Sequence, residues 1–123
     1  MKKTIIAVLG IIVTLSLINS SCTNNKASVT APSCDTTTVR LSVELESILS
    51  ANCYSCHGGN ADGAEGIKLQ DYATIKSLAL NGDLINAVAH TGSVTPMPKD
   101  AAKLSDCDIN KFKAWVNRGA QNN

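Results

Sequence analysis

Large aromatic side chains are nearly missing from this chain of 123 residues: Tyr54, Tyr72, Phe112 and Trp115 are all it has. So few bulky groups over about 90 ordered residues make a thin core, and domains that small commonly rely on a disulfide, a metal or a cofactor. An excess of either charge is missing too. Eleven Lys and Arg face ten Asp and Glu, and without Lys2 and Lys3 the balance is nine against ten, so no basic field draws nucleic acid. No strand pattern and no internal repeat can be read. The longest apolar run, Thr4 to Ile18, is shorter than the roughly 20 residues a membrane-spanning helix needs. Beyond the initiator, Met97 is the only methionine.

That apolar run follows "MKK" and ends in small polar residues, the layout of a secretory signal peptide over residues 1–21. Residues 22–33 show no apolar periodicity and read as a flexible tether, leaving 34–123 as the one domain. Cys22, placed between the apolar run and the polar "TNNKASVTAPS", resembles a bacterial lipoprotein signal, although Asn19 stands where that pattern usually has an aliphatic residue. The resemblance implies a lipid on Cys22 and hence a membrane anchor for an exported chain. An ordinary cleavage site with an incidental cysteine is the alternative.

Within the domain the periodicity is helical. Leu41, Leu45, Ile48 and Leu49 predict a helix from about Val43 to Asn52, with Ser42 as N-cap and Glu44 and Glu46 in its first turn. "HGGNADGAEG" holds four glycines in ten residues, which ends regular structure and lets the backbone pass close to a bulky group. Asp71 caps a second helix carrying Tyr72, Ile75 and Leu78, stopped by Asn81 and Gly82; Asp83 opens a third with Leu84, Ile85, Val88 and Ala89, closed by Gly92. Ser105 and Asp108 approximate a capping box before a last helix with Ile109, Phe112 and Val116 on one face, Trp115 beside it and Gly119 at its end. The fold class is all-α.

"CYSCH", residues 53–57, concentrates the chemistry. A structural zinc site needs four ligands, and downstream of Cys53, Cys56 and His57 only His90 and Cys107 remain in type, seventeen residues apart. A thioredoxin-like dithiol needs a strand-to-helix junction, and no strand is present. The pattern is also the signature of c-type haem attachment. There, two thiols at this spacing add to the two porphyrin vinyl groups and the adjacent histidine binds the iron. Export agrees with that reading, since such attachment happens outside the cytoplasm. The other axial position has a candidate in Met97, forty residues beyond His57, in a loop that Pro96 and Pro98 stiffen. Core filler is the bland alternative for a lone methionine. His90, at the predicted end of a short helix, reads as a surface residue, with iron ligation or a hydrogen bond near the haem edge as alternatives.

"ANCYSCHGG", the "PMP" loop, a leading helix and a closing helix bearing an aromatic together resemble the monohaem class I cytochrome c domain over about residues 34–120. The resemblance implies a cytochrome c-like fold with its terminal helices packed crosswise around one haem c. It also implies thioethers at Cys53 and Cys56 and iron held by His57 and Met97. Cys34 and Cys107 lie outside the family's basic pattern. If the terminal helices cross as the family implies, a disulfide between them would clamp the fold, closing a loop worth about 4 kcal/mol on the chain-entropy model. Free buried thiols are the alternative.

With both axial positions filled the iron moves single electrons. The expected function is therefore electron transfer between a redox donor and a redox acceptor, without enzymatic activity, on the periplasmic side of a membrane or at the cell surface. The alternatives are a haem sensor or peroxidase-like enzyme with an open distal site, and a zinc-stapled surface lipoprotein.

Overall fold

The structure, a computed structural model, describes residues 33–123; the expected signal peptide, Cys22 and nearly all of the expected tether lie outside the described residues. Those described are helical or irregular, with no strand among them. A π-helical turn, Leu41–Leu45, leads directly into α1 (Glu46–Asn52). A single turn follows, α2 (Tyr54–His57), and after the glycine-rich segment come α3 (Tyr72–Leu80), α4 (Asp83–Ala89) and α5 (Asp106–Asn117). The π turn packs on α5, and α4 packs on both α3 and α5. The expected all-α, cytochrome c-like architecture is what is found.

Two caps follow from local side-chain chemistry. Asp71 accepts the Thr74 amide at 2.9 Å at the head of α3, and Ser105 Oγ accepts the Asp108 amide at 3.1 Å while donating to Asp108 Oδ2 at 2.7 Å. The first helix departs from expectation. It begins two residues before Val43, and Ser42 lies inside the π turn rather than capping it. The orphan amides find other partners: Arg40 N–H reaches Glu44 Oε2 at 2.8 Å, Leu41 N–H reaches Asn123 Oδ1 at 3.0 Å, and Ser42 N–H reaches the Asn123 carbonyl at 2.8 Å. The wider π turn shifts the reaching-back carboxylate from the third helical position, usual in a capping box, to the fourth. A second departure is at α4, which stops at His90 in the left-handed region (φ 55°) rather than running to Gly92.

The core is built from Leu45, Ile48 and Leu49, Ile75 and Ala79, Leu84 and Val88, and Ile109, Phe112 and Trp115. The four positions read as the first helix's apolar face, Leu41, Leu45, Ile48 and Leu49, are all buried. On α5 the inward face is Ile109, Phe112 and Trp115, with Val116 only half-buried. Trp115 and Phe112 are the largest fully buried side chains among the described residues. The tail folds back over them, with Trp115 Nε1 donating to the Gln121 carbonyl at 2.8 Å and Tyr72 OH to the Ala120 carbonyl at 3.0 Å. Cys34 and Cys107 meet at disulfide distance beside the first turn of α5, their Cα atoms 5.4 Å apart.

Candidate functional site

Cys53 breaks the helix that precedes it. Its φ of −126° ends α1, yet its carbonyl accepts the His57 amide at 2.8 Å and so starts α2. This joint turns the chain and brings Cys53, Cys56 and His57 to one wall of a cavity of about 590 Å³. Met97 lines the same cavity. The four residues singled out from the sequence thus share one space, within the roughly 300–1,000 Å³ usual for cofactor sites. Leu69, Leu78, Leu84, Val88 and Leu104 give it an apolar lining.

The segment after the motif is sewn back to it. The His57 carbonyl accepts the Leu69 amide at 3.0 Å, and His57 Nδ1 lies 2.9 Å from the Ile67 carbonyl oxygen. A carbonyl can only accept, so Nδ1 carries a proton, and the neutral ring in this orientation has its lone pair on Nε2, the tautomer a metal-ligating histidine needs. The glycine content has a specific cause at Gly58, where a Cβ would stand 2.6 Å from the Tyr54 carbonyl oxygen. Gly63, which borders the cavity, has open space where its Cβ would be.

Met97, which lines the same cavity, is fixed through its backbone. Its N–H donates to the Ala87 carbonyl at 2.9 Å, and its carbonyl accepts from His90 Nε2 at 3.1 Å. His90 is exposed, and the cavity wall is formed by Met97 and its neighbours Thr95, Pro98 and Lys99 without it. Nothing in the sequence announces the Ile67 and Ala87 carbonyls, since a backbone acceptor carries no residue signature. The His90 contact was legible only as one of several roles for a histidine near this loop.

The chemistry of the donor set decides what fits. Burial pushes the Cys53 thiol up to about 11, opposite to the depressed value a thiol–disulfide exchange site requires. Among the described residues no three His, Cys, Asp or Glu side chains gather as a metal cage, and Cys107, a ligand the zinc reading would need, is drawn to Cys34. Two thiols a helical turn apart, an imidazole with a free Nε2, a thioether and an apolar cavity fit haem c.

No described helix is long and apolar enough to cross a membrane. No curated protein and no solved structure matches the chain. The family model for cytochrome c oxidase, cbb3-type, subunit III, matches residues 43–116, more than half of the chain and all of the helices around the cavity from α1 to the last turns of α5. The chain belongs to that family, and residues 43–116 are a c-type cytochrome domain suited to haem-based electron transfer.

Proposed function

We propose that this chain is a single-haem electron carrier, exported and anchored through a lipid on Cys22, that passes electrons between a redox-protein donor and acceptor. The observation that carries the reading is the convergence of Cys53, Cys56, His57 and Met97 on one apolar cavity. Haem c bound there would supply a one-electron Fe(II)/Fe(III) couple. Cys53 and Cys56 would hold it as thioethers. His57 would offer Nε2 from a ring whose orientation the Ile67 carbonyl fixes. Met97 would offer a soft sulfur that favours the ferrous state and keeps exogenous ligands away. Leu69, Leu84 and Leu104 exclude water, which raises the potential further by disfavouring the more highly charged state. The family's name associates it with a cytochrome c oxidase, and a redox partner on the outer face of a membrane is the class of protein the tether would let the domain reach.

The test is intact mass under denaturing conditions, on protein made with the haem-maturation machinery. One haem should remain on the polypeptide through acid-acetone extraction, and the reduced protein should give a c-type spectrum. The bare polypeptide mass would sink the reading. Cys56→Ala should leave a labile single-thioether product or no holoprotein.

A further inference from the structure

Between Pro96 and Pro98, Met97 is the one residue of the three with a main-chain N–H. Both of its backbone polar groups are taken at the end of α4: the Ala87 carbonyl in its last turn holds the N–H at 2.9 Å, and Nε2 of His90, the residue that caps it, holds the carbonyl at 3.1 Å. The same helix walls the cavity with Leu84, Ala87 and Val88, and the Val88 carbonyl catches the far end of the loop through the Leu104 amide at 3.2 Å. Of these attachments only the one at the Met97 carbonyl is made by a side chain. That side chain belongs to a residue at φ 55°, ψ 48°, in the left-handed region that non-glycine residues enter at a cost. A glycine or asparagine would end the helix there more easily; histidine adds a donor at the reach the carbonyl requires.

From this we infer that His90 is a positioning residue for the Met97 sulfur: through Nε2–H it holds the Met97 carbonyl, so that the thioether stays in the cavity against competing ligands. The inference rests on Met97 as the distal ligand.

The test separates the side chain's reach from the backbone's conformation. Asparagine accepts the left-handed region but places its amide nitrogen where Nδ1 of histidine lies, too short for the carbonyl. Glutamine is less at ease in that region but carries its amide nitrogen where Nε2 lies. Holoproteins with His90, His90→Asn, His90→Gly and His90→Gln are titrated with imidazole, following the far-red sulfur-to-iron(III) absorption band. His90→Asn and His90→Gly should bind imidazole roughly three- to tenfold more tightly, the worth of one hydrogen bond, and His90→Gln should return towards the unsubstituted protein. Equal affinities across the set, or glutamine worse than asparagine, would overturn the inference while leaving Met97 ligation standing. If the unsubstituted protein lacks the band and Met97→Ala leaves its imidazole affinity unchanged, the ligand reading has failed, and the role of His90 falls with it.

Discussion

Cys34 and Cys107, 73 positions apart in the chain, stand with their Cα atoms 5.4 Å from one another. The separation is within the 4.4–6.8 Å range of disulfides. A bridge there would join the segment entering the first helix to the first turn of α5, where Arg118 makes a tie of its own by donating to the carbonyls of Thr36 and Val39 at 3.2 and 3.0 Å. Bridge and guanidinium together would hold the two terminal helical segments on one core.

Peptide mapping of the exported protein without reduction should therefore recover a linked Cys34–Cys107 pair. Cys34→Ser with Cys107→Ser should lower unfolding stability by up to about 4 kcal/mol, the loop-closure value for a ring of that length. Both cysteines recovered as free thiols from oxidised periplasmic material would rule the bridge out.

How much could be read in advance depended on whether the cause was local. Asp71 and Ser105 cap helices through groups three residues away, and both were visible in the sequence. Leu45, Leu49 and Phe112 announce their burial by spacing alone. The start of the first helix is not legible locally because its amides are closed by Asn123, some eighty residues distant, and by a carboxylate displaced by a π turn. The end of α4 is hidden too, because His90 adopts a backbone conformation that its side chain does not advertise. At the site, the four candidate residues were named by type and spacing, whereas the carbonyls of Ile67 and Ala87 that orient two of them become visible only once the chain is folded.

Gly58 should not tolerate a side chain. A Cβ there would meet the Tyr54 carbonyl oxygen at 2.6 Å, and that oxygen is part of the backbone and already accepts the Gly58 amide at 3.1 Å. Gly58→Ala must open the turn behind His57, at a cost of about 1–3 kcal/mol typical of overpacking. Thermal unfolding of the holoprotein checks this, and an unchanged midpoint would show that the turn yields freely.

Acid should loosen the start of the first helix. Hydrogen bonds from the Arg40 side chain and amide hold the Glu44 carboxyl down to about 2, from an ordinary value near 4.5. A group depressed on folding contributes stability that is present above its unfolded value and lost as the pH falls through its folded one, here between about 4.5 and 2. Glu44→Gln should remove that part of the pH dependence, so that its stability curve and that of the unsubstituted protein converge towards pH 2. Parallel curves across the window would assign the acid sensitivity elsewhere. The pair is exposed, so added salt should shrink the difference.

Carbon monoxide distinguishes a carrier from a catalyst. With the Met97 sulfur on the iron, the reduced protein is six-coordinate and low-spin, and the gas must wait for a ligand whose backbone is held at both its N–H and its carbonyl. Binding should be slow and limited by departure of the sulfur. Met97→Ala removes that step, so binding should become fast and proportional to gas concentration. The midpoint potential should fall by on the order of 0.1 V, a modest part of the roughly 0.8 V that axial ligands span. Rapid binding by the unsubstituted protein would instead mean an open distal position, and the cavity between His57 and Met97 would then have to be read as the pocket of a sensor or a peroxidase-like enzyme.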